Sequence, residues 1–255
     1  MLSVDRQNDI VQRLFKDKSV SVASLSSEYR VSAETIRRDL DKLCSKDPMI
    51  IRVHGGAYRV TPDGDPPYSF RESSRVEEKT RIAEACFHRI REGDFVFMDS
   101  STTTLYLSKL IAASDLHLTV ITNGLGIINE LSKCKNIDIL GVGGKYTDAT
   151  HSFVGNTAFS GLSGLYAAKA FVSCSGIDLD FGITHNSDDE AAIRKIMLTN
   201  SKERYLLIDS NKFGRCKTYK IVGFETIDEI FTDNELPEEW HALLRKNSIR
   251  LTICR

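Results

Sequence analysis

No run of about 18 apolar residues occurs among these 255 residues, so no segment reads as a membrane-spanning helix. The opening Met-Leu-Ser-Val-Asp-Arg-Gln-Asn-Asp lacks the apolar core of a signal peptide, and the expected location is the cytoplasm. Cysteine is sparse and dispersed, at 44, 86, 134, 174, 216 and 254. That spacing excludes CxxC-type metal sites and reads as scattered buried thiols of a reducing compartment, so neither a metal nor a cofactor is expected. Internal repeats and low-complexity tracts are missing. Proline is scarce too: of five, three fall at 62, 66 and 67, around one glycine. Such a stretch resists helix and sheet alike. It predicts a head over residues 1–59, a linker over 60–70 and a body over 71–255.

What is present fits an ordinary globular chain of one or two domains, 41% hydrophobic and 27% charged. The net charge of −1 hides an asymmetry. Residues 1–60 carry 11 Lys and Arg against 8 Asp and Glu, and the remainder carries 23 against 27. A basic head on an acidic body is the sign expected if the head meets phosphates.

Three helices are expected in the head. Asp5 to Lys18 places Ile10, Val11, Leu14 and Phe15 on one stripe, and residues 22–30 place Val22, Leu25 and Tyr29 on a second. Ser32 is a preferred N-cap for the third helix, whose Ile36, Leu40 and Leu43 form its buried stripe. At about 100° per residue, Arg38 and Glu34 then point away from that stripe, with Thr35 and Arg37 on its flanks. Pro48 ends the helix. Met49 to Val53 reads as a strand and His54-Gly55-Gly56 as a turn, which makes a winged helix-turn-helix. A major groove admits one helix, where Arg bonds a guanine edge or a phosphate. Ser32 and Thr35 offer hydroxyls to phosphates near the helix start. The blander alternative is a solvated charged face, with Arg37 and Arg38 paired to Glu34 and Asp41.

Beyond the linker, Arg71 to Arg91 reads as one long, charged amphipathic helix. Short apolar strands then alternate with helical stretches: 95–98, 118–121, 137–140, 170–173 and 205–208. That pattern implies a parallel sheet covered on both faces, whose ligands sit beyond the carboxyl ends of the strands. The first strand runs into Asp99-Ser100-Ser101-Thr102-Thr103-Thr104 at a helix start, where hydroxyls and unbonded backbone N–H groups suit an anion. A plain Ser/Thr-rich N-cap is the alternative. The other ends supply Thr122-Asn123-Gly124, Gly143-Gly144-Lys145, Ser175-Gly176-Ile177-Asp178 and Asp209-Ser210-Asn211-Lys212-Phe213-Gly214. Each alone is more often a turn.

Arg6, Ile10, Leu14, Ser32, Thr35-Ile36-Arg37-Arg38-Asp39-Leu40 and Arg52-Val-His54-Gly55-Gly56-Ala57 together resemble the DeoR family of bacterial transcription regulators. The likeness continues through the strand-end loops and so covers nearly the whole chain. It implies an α+β winged helix-turn-helix head joined to an α/β sensor domain with a mainly parallel sheet, similar to sugar-phosphate isomerases. It further implies repression of a carbohydrate-catabolism operon under a phosphorylated sugar or sugar acid, by a dimer or tetramer reading double-stranded operator DNA. Ser32, Thr35, Arg37, Arg38, Arg52 and His54 are the DNA-binding candidates. By the likeness Thr102, Thr103 and Lys79 hold the effector's phosphate with Lys212 nearby, while Asp99, Asn123, Asp178 and Glu190 bond its hydroxyl or carbonyl groups. Ser101 and Gly144 complete the pocket. Ser101 stands where the family has Gly, which narrows room for close backbone approach to a phosphate, and Arg194 stands where a Lys is usual. The rival reading is a sugar-phosphate isomerase with an accessory head, using Glu190 or Asp178 as general base and Lys212 as enediolate stabiliser.

Overall fold

The computed structural model describes residues 2–47, 49–53, 55–59 and 65–255, which divide into two compact units meeting in sequence at Ser74 and Arg75. The first contains α1 (Ser3–Asp17), β1 (Ser19–Ser21), α2 (Val22–Tyr29), α3 (Ala33–Lys46), β2 (Ile50–Val53), β3 (Gly56–Arg59) and α4 (Tyr68–Ser73). Ser21 caps α2 by accepting from Ser24 N, and Ser32 caps α3 by accepting from Thr35 N. Ile10, Leu14, Val22, Leu25, Ile36, Leu40, Leu43, Ile50 and Ala57 close one small core. Truncating any one of its large side chains costs about 2–5 kcal/mol.

The wing is a three-stranded antiparallel sheet in the order β1-β3-β2. Its β1 is only Ser-Val-Ser, too short to carry a periodic signal, and it exists because β3 lies against it. Gly56 makes that approach feasible, since a Cβ there would stand 2.1 Å from the carbonyl oxygen of Val20. His54 and Pro48, assigned above to the wing turn and the helix stop, lie outside the described residues, as does the 60–64 part of the expected linker.

The second unit contains α5 (Val76–Phe87), β4 (Phe95–Met98), α6 (Thr102–Ala112), β5 (Leu118–Thr122), α7 (Leu125–Leu131), β6 (Ile137–Gly141), β7 (Lys145–Thr147), β8 (Ser152–Val154) and α8 (Asn156–Ser163). It continues through β9 (Ala167–Val172), β10 (Gly176–Asp178), β11 (Gly182–His185), α9 (Asp188–Thr199), β12 (Ser201–Leu207), β13 (Tyr219–Val222), β14 (Glu229–Thr232), α10 (Glu238–Lys246) and β15 (Arg250–Ile253). Seven strands form a wholly parallel sheet in the order β15-β14-β12-β9-β4-β5-β6. Alternate residues feed opposite cores: Phe97, Ala170, Leu206 and Ile230 face one, while Val96, Met98, Phe171, Leu207 and Phe231 face the other. The sequence reading found five of these strands and missed β14 and β15. It also missed the antiparallel pieces β7-β8 and β10-β11-β13, whose strands of three or four residues show no usable alternation.

One expected element is corrected. The single helix over 71–91 is two helices, α4 and α5, because Ser74 is extended and Arg75 is left-handed at φ 52°. The cysteines are unpaired thiols, but only Cys86, Cys174 and Cys254 are buried, and Cys216 is exposed. Among the described residues no helix is long and apolar enough to cross a membrane.

Candidate DNA interface and effector site

In the head, α3 buries Ile36, Asp39, Leu40 and Leu43 and turns Arg37 and Arg38 outward, their side chains 55% and 75% exposed. Both guanidinium groups lie near Glu34, at 3.6 and 3.4 Å. Exposed pairs of this kind contribute little, about 0–1 kcal/mol, so a phosphate or a base edge competes for these arginines at small cost. Ser32 Oγ accepts from Thr35 N at 3.2 Å and lies 2.8 Å from Thr35 Oγ1, leaving both hydroxyls at the start of the helix. Arg52 is different. Its Nε donates to Asp41 on α3 at 3.0 Å, and its Nη1 donates to the carbonyls of Val53 at 2.6 Å and of Gly56. Arg52 therefore fastens the wing to the third helix, and most of its hydrogen-bonding capacity is spent inside the head.

Arg6 and Asp39 have a structural task that no local pattern reveals. Asp39 is buried and accepts from Arg6 Nε at 2.5 Å and Gln7 Nε2 at 2.7 Å, tying α1 to the inward side of α3. Burial pushes the Asp39 carboxyl up, but the bonds from Arg6 and Gln7 outweigh it and hold the group below its ordinary value of 3.8. A carboxyl depressed in the folded state stabilises above its unfolded pKa and loses that contribution as pH falls through the folded value. The head is therefore expected to weaken below about pH 4. Asp39→Asn should cost about 2 kcal/mol at pH 7 and flatten that acid dependence. Urea melts of the full chain, followed through the methyl signals of Ile10, Ile36 and Leu40, measure both.

In the second unit the sheet reverses direction of growth between β4 and β9, the crevice where such sheets receive ligands. Asp99 follows β4 there and is fully buried. Its Oδ1 accepts from Ser101 N at 3.2 Å and Thr104 Oγ1 at 2.9 Å, and its Oδ2 from Ser173 N at 3.0 Å and Arg194 Nε at 2.8 Å. Glu190, also buried, accepts from Ser100 Oγ at 3.2 Å, from Ser152 Oγ and from Arg194 Nη1. Burial disfavours the Glu190 carboxylate, yet Arg194 beside it holds the group well below the usual range. The likeness offered Asp99 and Glu190 as bonding groups for a ligand. The structure instead commits their oxygens to one internal cluster centred on Arg194. The i, i+4 spacing of Glu190 and Arg194 on α9 was the available signal for that pairing.

Around this cluster lie the other candidates at the carboxyl ends of the strands. Ser101 Oγ caps α6 by accepting from Thr104 N at 3.2 Å, and Leu105 N donates to Ser101 O. The amides of Thr102 and Thr103 precede the first intrahelical bond and so have no partner within the helix. Both threonines are buried. Lys212 Nζ lies 3.2 Å from Ser173 Oγ at the end of β9. The neighbouring strand end carries Asn123, since Thr122 pairs in register with Met98. Asn123 is fully buried; its Nδ2 donates to Phe153 O at 3.0 Å, and its Oδ1 has no hydrogen-bond partner among the described residues. A buried acceptor left unmatched asks for a donor. Lys79 is buried on α5 with its Nζ 5.7 Å from the Tyr106 ring centroid, which places it on the flank of α6.

Two candidates have other work. Asp178 sits where the β10-β11 hairpin turns, and its Oδ1 accepts from Asp180 N at 3.1 Å and Phe181 N at 2.8 Å. The preceding residue, Ile177, bridges to Phe213, next to Lys212. Gly144 is exposed, and a Cβ there would stand 2.7 Å from Val154 O, so its smallness serves the approach of β8. Among the described residues no group of three or more His, Cys, Asp and Glu is arranged to hold a metal ion.

Comparison with known proteins follows the same division. Residues 6–63 match the family described as the DeoR-like helix-turn-helix domain, and residues 74–234 the DeoR C terminal sensor domain. The chain is 31% identical over 254 residues to the putative aga operon transcriptional repressor of Escherichia coli O157:H7, covering 98% of this chain and 93% of that one. It is 32% identical over 239 residues to the lactose phosphotransferase system repressor of Lactococcus lactis, covering 91% of each. Among solved structures, ribose 5-phosphate isomerase A of Methanocaldococcus jannaschii aligns over 55% of each chain, with 12% identity and a TM-score of 0.41.

Proposed function

The chain belongs to the DeoR family of transcription regulators, and from that premise we propose that it represses carbohydrate-catabolism genes under the control of a small phosphorylated sugar or sugar acid. It works in the cytoplasm and without catalysing a reaction. The head reads double-stranded operator DNA through Arg37, Arg38, Thr35 and Ser32, with the wing steadied by Arg52. Because helix-turn-helix operators come as paired half-sites, at least two copies act together.

The observation that carries the effector half is the buried N-terminus of α6, flanked by Lys212 and by the unmatched Oδ1 of Asn123. A phosphate is received by the Thr102 and Thr103 amides, the Thr103 hydroxyl and the lysines, because amides at a helix start point at an anion and the helix dipole favours it. The sugar's own hydroxyl donates to Asn123. Asp99 and Glu190 hold the frame from behind. Isomerisation would need a carboxylate ready to take a proton; Glu190 is engaged by Arg194 and Asp178 accepts from two amides of its own turn, which favours binding over turnover.

The test is a titration of the protein against DNA from its own gene neighbourhood, with and without a panel of sugar phosphates, at two salt concentrations. Specific binding that weakens steeply with salt and that one phosphate alters supports the reading. Turnover of any of those phosphates, or DNA binding indifferent to all of them, counts against it. Thr103→Ala is expected to keep operator affinity and to bind the effector about tenfold more weakly, the loss of one charge-assisted hydrogen bond.

A further inference from the structure

Between Pro67 and Gly93 the chain has neither proline nor glycine, so its residue types permit one helix from Tyr68 through Phe87. The helix is nevertheless broken, with Ser74 extended at φ −92° and ψ 148° and Arg75 left-handed at φ 52° and ψ 44°. A left-handed conformation is costly for a residue with a Cβ and persists only where its surroundings hold it. Here they do. Arg75 Nη1 lies 2.6 Å from Asp209 Oδ1, Nη2 lies 3.5 Å from Asp233 Oδ2, and Nε lies 3.3 Å from Glu78 Oε1. The break also falls where the head unit ends and the sensor unit begins.

Two of those three carboxylates also hold the loop that carries Lys212. Asp209 caps the short turn Ser210–Lys212, and Asp233 Oδ1 accepts from Ser210 N at 2.6 Å. The other oxygen of Asp209 lies 3.9 Å from Lys212 Nζ. One carboxylate is thus shared between the arginine at the helix break and the lysine at the effector pocket. Burial pushes the Asp209 carboxyl up, and Lys212 and Arg75 together hold it ionised.

We propose that Arg75 is a positioning residue that couples occupancy of the effector pocket to the broken helix between α4 and α5, through Asp209. This rests on the reading of Lys212 as an anion-binding group. An anion on Lys212 weakens the lysine's pull on Asp209, and the carboxylate then goes wholly to Arg75. The broken arrangement is tightened, and the continuous helix, which the residue types permit, is disfavoured. The two arrangements are the discrete states that an effector needs in order to act at a distance.

The experiment uses the full chain, with inorganic phosphate as the probe. Calorimetry measures phosphate binding, and hydrogen exchange by mass spectrometry measures protection over residues 72–79. Phosphate is expected to slow exchange there about fivefold or more in the parent protein, the low end of allosteric coupling. Arg75→Ala is expected to bind phosphate within about threefold of the parent, a small part of a typical coupling, and to lose the response. Arg75→Gly accepts the left-handed backbone without the guanidinium and should lose it equally. Retention of the response in either variant overturns the proposal, as does phosphate binding to the parent without any slowing. Failure of phosphate to bind the parent overturns the effector-pocket reading, and the proposal with it.

Discussion

An Arg194→Ala protein is expected to be about 3–5 kcal/mol less stable than the parent, the range for removing one partner of a buried ion pair. Arg194 is 3% exposed at its side chain and lies between Asp99 and Glu190, at 0% and 1%. Its loss leaves two buried carboxylates without the guanidinium that pairs with both. For a unit of this size the melting temperature should fall by roughly 6–20 °C, at about 2–4 °C per kcal/mol. The pH dependence separates this from a simple packing loss. In the parent, Glu190 is held well below the usual carboxylate range, so its contribution is present above the unfolded pKa and lost as pH falls through the folded value. In the variant, burial without the guanidinium raises the group, so the penalty is greatest near neutral pH and shrinks on acidification. Thermal melts of both proteins at pH 7 and pH 5 measure the difference. A deficit that stays constant with pH would mean that the lost side-chain volume, and not its charge, was what mattered. Arg194→Lys keeps one charge but not the fork that reaches both carboxylates, and should recover only part of the loss.

The double substitution Arg37→Ala with Arg38→Ala is expected to abolish specific operator binding, at about 1–3 kcal/mol for each contact to a base edge. Stability should hardly move, because both side chains are exposed and their pairs with Glu34 are long. The two arginines need not have the same task. A single change that relaxes preference for the operator marks a base contact. One that weakens binding to all sequences and lowers the salt slope by about one unit marks a phosphate contact. Binding isotherms at several salt concentrations on operator and scrambled DNA assign each residue. Unchanged affinity in the double variant would move the DNA contact off α3 altogether.

Much of the head was legible in the chain because its signals are local. Ile36, Leu40 and Leu43 recur at helical spacing, and Ser32 is a residue type that caps helices whatever surrounds it. Their positions alone put Arg38 on the outer side of α3. The same held for the strands that follow Gly93, whose short apolar runs are buried on both faces. What escaped were elements that exist only because something distant lies against them. The three-residue β1 has no pattern of its own and is a strand because β3 pairs with it. The last two sheet strands, β14 and β15, were missed although they complete the same parallel sheet.

The candidate site divides in the same way. That the groups after β4 form a capped helix start follows from Ser101 and the threonines in order. That Asp99 and Ser100 would be bonded to Arg194 and Glu190 does not, because 90 or more residues separate them from these partners on α9. The chain by itself determined the three helices of the head, which side of α3 faces outward and which strand ends are polar. Those properties depend on residues within about one helical turn of each other. The tertiary structure decided which charges are spent on each other and which remain for a ligand, since burial and long-range pairing set the cost of each ion. It also decided that a helix permitted by every residue from Tyr68 to Phe87 should break at Arg75, because Asp209 and Asp233 wait for that guanidinium more than 130 residues away.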